Sequence, residues 1–125
     1  MPGVRGPGLS RREYVALARF RHALRGFTAF SERAARAAGL TPQQHQALLA
    51  IKGAPSGDTP SVGEIAAALM IRPHSAAELV NRLEQLSLVA RGADASDHRR
   101  VPVALTARAE AVLHQLTEAH LSELR

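Results

Sequence analysis

Two groups of side chains in this 125-residue chain have types and spacings that suit a definite chemistry. The first is a run at helical spacing, His74, Ser75, Glu78, Asn81, Arg82 and Gln85, opposite the apolar set Ala76, Leu79, Val80, Leu83 and Leu86. Short polar side chains at the leading end of a helix let its backbone approach base edges in a major groove, where each base pair shows a distinct pattern of donors and acceptors. The second is the charged tip Asp94-Ala95-Ser96-Asp97-His98-Arg99-Arg100. An Arg at the tip of a hairpin suits the negative potential of a minor groove, and Asp97, two residues before Arg99, is expected to hold the guanidinium in position. Arg72, Arg82, Arg91 and Arg100 flank both groups and are expected to neutralise backbone phosphates.

Other chemistries find less support. No nucleophile stands beside a base, no glycine-rich loop can cradle a phosphate, and no motif places paired carboxylates, so no enzyme activity is expected. The chain has no cysteine, which excludes disulfides, thiolate metal sites and a cysteine redox switch. Its six histidines include no HExxH and no His-x3-His pair, and His114 and His120 fall on different helix faces. Scattered histidines of this kind read as surface or half-buried polar residues, and no metal or cofactor is expected.

The elements that must position the two groups can be read from start and stop signals. Ser10-Arg11-Arg12-Glu13, Thr41-Pro42-Gln43-Gln44 and Ser61-Val62-Gly63-Glu64 are three capping patterns, each opening a helix. The first helix is expected to reach Gly39, with Leu17, Phe20, Leu24, Phe27, Ser31, Ala34 and Ala38 forming an apolar stripe and Tyr14, Val15, Ala18 and Phe30 a second apolar side. At 1.5 Å per residue such a helix is about 40 Å long, more than one module of this size needs, so part of it should pack on another subunit. The second helix should stop near Gly53, before the loop from Ala54 to Pro60. A third, with Ile65, Ala66 and Leu69 inward, ends at Arg72-Pro73, where the helix bearing the polar face begins. Leu88 to Ala90 and Val101 to Leu105 then read as two extended segments, with Val101, Val103 and Leu105 inward and Pro102 at an edge position. Thr106 caps a last helix through Val112, Leu113, Leu116 and Leu121. The expected organisation is a leader over 1–9, a long helix over 10–39, a binding module over 40–106 and a closing helix over 107–125.

The overall class is therefore mostly α with a small β-hairpin wing: a winged helix-turn-helix between long flanking dimerisation helices. The formal charge of +5 favours a polyanionic partner, yet eight Arg and two Glu fall within residues 1–40 while the rest is close to neutral. No signal-peptide pattern or membrane-length apolar run appears, and a cytoplasmic location is expected.

Residues from about Gly39 to Leu116 resemble the MarR-type transcriptional regulators, through Leu40-Thr41-Pro42-Gln43, Val62-Gly63-Glu64-Ile65-Ala66-Ala67-Ala68-Leu69, Leu79-Val80-Asn81-Arg82-Leu83-Glu84, and the tip ending in Leu105-Thr106. The resemblance implies a homodimer that docks Pro73 to Arg82 in successive major grooves of a pseudo-palindromic operator, with Asp97 and Arg99 in the wing roles. It further implies a ligand-responsive repressor, with a pocket where the first helix meets the second, lined by residues such as His22, Phe27 and His45, for a small aromatic or anionic effector. The chain departs from the family at Met70, where a turn Gly is usual, at Arg72, where a capping Asp or Ser is usual, and at His74-Ser75-Ala76, where Ser-Thr-Val is usual. Only about twenty residues follow Thr106, fewer than the family's last dimerisation helix needs, so dimerisation should rest on Ser10 to Ala38 with Ala107 to Arg125. The alternative from another class is a winged-helix module that binds protein, because the binding half is nearly neutral and carries Glu78 on the recognition face.

Overall fold

The computed structural model describes residues 8–55, 58–93 and 99–124. Five helices and one antiparallel hairpin follow in the order α1 (Arg11–Ala37), α2 (Pro42–Lys52), α3 (Val62–Leu69), α4 (Pro73–Gln85), β1 (Val89–Arg91), β2 (Val103–Leu105) and α5 (Ala107–Leu124). All three capping boxes form, and each is reciprocal. In the first, the Ser10 amide donates to the Glu13 carboxylate at 2.7 Å and the Glu13 amide to Ser10 Oγ at 3.2 Å. Thr41 with Gln44 and Ser61 with Glu64 repeat the arrangement at the heads of α2 and α3. Each box satisfies two of the amides that a helix start leaves without partners. Thr106 does two jobs: its Oγ1 accepts from the Ala109 amide at 3.2 Å and donates to the Ser87 carbonyl at 2.7 Å, so the head of α5 is tied to the turn after α4.

Three helix ends close through a bond from a residue to the carbonyl five positions back: Leu40 to Ala35, Ile71 to Ala66, and Leu88 to Leu83. That closure needs one left-handed residue, which is Gly39 at the first end but Met70 (φ 56) and Ser87 (φ 62) at the others. Met70 is 90% exposed, so its side chain packs on almost nothing while its backbone occupies a region that disfavours a Cβ. Met70→Gly is therefore expected to raise the stability by about 0.5–1 kcal/mol, after the entropy cost of glycine is set against the relieved strain. A urea midpoint that fails to rise at unchanged slope would contradict this.

The core joins every element of the binding module. Leu48 of α2, Ile65 of α3, Val80 and Leu83 of α4, Leu88 before β1 and Val103 of β2 are its largest fully buried side chains, and Ala109, Leu113 and Leu116 of α5 close it. The hairpin pairs Val89 with Leu105, Ala90 with Ala104 and Arg91 with Val103. Pro102 lies one residue beyond that register, where its carbonyl accepts from Gly92 at 2.8 Å and its missing amide interrupts no paired rung. On the other side of β2 the Val103 amide donates to the Pro60 carbonyl at 2.8 Å and Pro102 bridges to Ser61, so the strand also binds the entry to α3. The inward strand is shorter than its alternation suggests: Val101 is exposed, Val103 is buried and Leu105 is half-buried.

The larger difference lies in α1. Every residue from Arg11 to Ala29 is exposed, the apolar stripe included, and Ala35 is the one buried residue of this helix. Periodicity identified a face that apolar chemistry requires to be covered, but among the described residues no element lies opposite it. Its C-terminal end alone is seated, on α2 and α5.

Candidate nucleic-acid interface

The helix α4 is held by Ala76, Leu79, Val80 and Leu83, all buried. Those four lie on one side, so the opposite side presents His74, Ser75, Glu78, Asn81, Arg82 and Gln85 to solvent, as their spacing requires. Arg72 is the N-cap and makes no side-chain capping bond, and Pro73 fills the first helical position. A cation thus stands at a helix start where a capping oxygen is the usual group. Within α4, His74 Nε2 lies 3.0 Å from Glu78 Oε1, one turn further on, with both side chains well exposed. The charge of Glu78 on this face is therefore matched by a group that bears a positive charge only when protonated.

The wing stands beside that face. Arg99 is exposed and, with Val101 and Arg100, lines a shallow groove against Ser61, Val62 and Gly63 at the head of α3. Asp97, expected to position Arg99, lies outside the described residues, as does the rest of the tip from 94 to 98. Arg100 and Arg91, both expected at phosphates, have partners within the chain. Arg100 Nη2 is 2.7 Å from Glu64 Oε1 and also donates to the Thr59 carbonyl, tying the wing to the head of α3. Arg91 Nη2 donates to Asn81 Oδ1, tying β1 to the polar face of α4. The Glu64 carboxyl is held below its ordinary range, first by the Ser61 amide and then by the Arg100 guanidinium. Arg72, His74, Ser75, Glu78 and Arg82 on the helix side and Arg99 on the wing side are all exposed. Sequence reasoning missed Asn81 and Glu64 as anchors for the wing; the only signal available was their polarity on helix faces next to it.

Of the three residues expected to line an effector pocket, Phe27 and His45 meet in one cluster and His22 does not. Phe27 and Phe30 of α1, His45 of α2 and His120 of α5 form one cluster, with ring centroids 5.5, 5.1 and 5.4 Å from that of His120. His45 is 3% exposed, and burial, followed by the nearby His120, pushes its imidazole below the ordinary value. His22 is exposed on α1, outside this cluster. His120 and Phe30 complete the cluster, and spacing could not reveal them because the residues involved come from three helices far apart in the chain. Among the described residues no group of three His, Cys, Asp or Glu side chains is placed to hold a metal ion. Nor is any helix among them long and apolar enough to cross a membrane.

With the geometry in hand, the chain can be set beside known proteins. No curated protein matches it. Among solved structures, a MarR family protein from Bacillus stearothermophilus is similar at 21% identity and a TM-score of 0.80, over 94% of this chain and 80% of that one. AbsC, a MarR family transcriptional regulator from Streptomyces coelicolor, is similar at 23% identity and a TM-score of 0.73, over 94% and 78%. A point mutant of MepR from S. aureus, bound to an oligodeoxyribonucleotide, is similar at 22% identity and a TM-score of 0.72, over 93% and 80%. These likenesses establish the winged helix-turn-helix fold, with its hairpin beside the α3–α4 pair. The model of the MarR family matches residues 38–100, from the C-cap of α1 to the residues just before β2, and by that match the chain belongs to the MarR family.

Proposed function

We propose that the protein is a sequence-specific double-stranded DNA-binding transcription regulator without enzyme activity, acting in the cytoplasm as a homodimer on a pseudo-palindromic operator. The observation that carries this reading is the outer face of α4: a helix seated by four buried residues, showing short polar groups to solvent, with Arg99 on the wing beside it. In this reading Ser75 and His74 reach base edges, Arg72 and Arg82 meet phosphates, and Arg99 enters the flanking minor groove. The family relationship and the oligodeoxyribonucleotide held by the similar MepR mutant support it. The exposed apolar face of α1 supports the homodimer, since a second copy would cover it by symmetry. Repression relieved by a small aromatic or anionic effector is the regulatory mode we propose. The cluster of Phe27, Phe30, His45 and His120, with the Arg-rich start of α1 nearby in sequence, supports that part.

The test is a titration on genomic fragments selected for binding, run at two salt concentrations. Specific retardation that survives near ~150 mM salt is expected. Arg99→Ala should weaken it by about 1–3 kcal/mol, or roughly 5- to 150-fold, and Arg82→Ala should lower affinity for all sequences alike with a shallower salt slope. Unchanged affinity for Arg99→Ala removes the wing from the mechanism. A second reading, a protein-binding winged helix, is favoured by one observation: Arg91 and Arg100 are engaged within the chain, which thins the positive surface beside Glu78. Weak retardation that salt abolishes would support that reading instead.

A further inference from the structure

We propose that His45 and His120 form a proton-operated latch that holds α5 against α1 and α2 while both imidazoles are neutral and loosens it when either takes up a proton. The inference stands on the packing of these helices and is independent of the DNA reading. His120 Nδ1 lies 2.6 Å from the Leu116 carbonyl oxygen. A carbonyl only accepts, so Nδ1 carries the hydrogen and Nε2 presents a lone pair. That Nε2 is sealed from solvent and has no hydrogen-bond partner. A proton arriving there creates a charged donor with nothing to receive it, beside the buried ring of His45, 5.4 Å away between centroids.

The surroundings offer little to offset this. Phe27 and Phe30 meet the His120 ring at 67° and 76°, and a phenyl ring can attract a cation but cannot accept the hydrogen bond of Nε2 as an oxygen would. The charged and titratable side chains of the three helices in this region, Glu32, Arg33 and Arg36 on α1, Lys52 on α2, and His114, Glu118 and Glu123 on α5, are all exposed. His114 is engaged with Glu118 at 3.1 Å on the outer side of α5. For His45, burial is the leading influence and the neighbouring His120 the next, both favouring the neutral ring. Such a group adds stability above the ordinary histidine value near ~6.5, and that contribution is lost as pH falls below it. The loss falls on α5, whose C-terminal half is joined to α1 and α2 through this cluster.

Amide hydrogen exchange on the full chain, corrected for intrinsic rates, tests the latch. Between pH 7.5 and 5.0, protection in the second half of α5 is expected to fall at least about tenfold relative to α3 and α4. His120→Phe keeps an aromatic ring and removes the partnerless Nε2, and the drop should shrink severalfold, to what the buried His45 alone supplies. His45→Phe provides the second variant, in which the drop should shrink severalfold; if His120→Phe does not fold, this variant carries the test. A flat profile in the parent protein, or a full drop retained in the variants that fold, overturns the latch.

Discussion

If the protein is the homodimer proposed above, Phe20→Glu is expected to leave a folded monomer of 13.4 kDa. Phe20 is 63% exposed within the single chain and shares its face of α1 with Leu17, Leu24 and Phe27, which are exposed as well. Fully burying a side chain of this kind is worth about 1.5–3 kcal/mol, so one such face covered by its copy suffices to drive association. In a two-fold dimer the substitution appears twice, placing two carboxylates in the same apolar contact, where they repel and lose hydration. The dissociation constant should rise by at least about 100-fold, corresponding to roughly 2.7 kcal/mol. Sedimentation at micromolar concentration would read the change in mass, and circular dichroism should stay the same because residues 11–29 are all exposed within their own chain. A dimer that survives would mean that α1 is covered by something other than its copy.

The second large effect is on stability. Leu83→Ala should cost about 2–5 kcal/mol, by analogy with other large-to-small core changes. Leu83 is 0% exposed, and it seats α4 within the cluster that also holds Ile65, Leu88 and Val103. Its carbonyl also receives the Leu88 amide at 2.9 Å, so the residue sits where the helix hands over to the wing. A domain of this kind has about 5–15 kcal/mol in total, and the variant should unfold at a much lower urea concentration. A loss under about 1 kcal/mol would mean that α4 can re-seat without Leu83, against its complete burial.

The parts of the molecule legible in the sequence are those fixed by groups three or four residues apart. The capping boxes at Ser10, Thr41 and Ser61 are such patterns, and so is the division of α4 into a buried and a polar side. The departures at Met70 and Arg72 were visible as residue types, and the structure gives them a left-handed turn and a helix start without a side-chain cap. Less legible was anything that needs a partner from another element. Arg91 and Arg100 read as free cations because Asn81 and Glu64 lie 10 and 36 residues away in sequence, and only the folded hairpin brings them together. The cluster around His120 is of the same kind. For α1, periodicity reported an apolar face correctly but carried no information on what covers it, since that depends on which surfaces exist to meet it.

That seating of α1 has a geometric consequence for any dimer built on it. The helix is rooted near Phe27, Phe30 and Ala35, and the segment from Arg11 to Gly26 projects about 24 Å beyond that root at 1.5 Å per residue. It behaves as a cantilever: a tilt of about 8° at the root displaces the far end by about 3 Å, close to the ~3.4 Å rise of one base-pair step. In the proposed dimer, small repacking at the rooted end would therefore be magnified into a change in separation comparable to the spacing of adjacent base pairs.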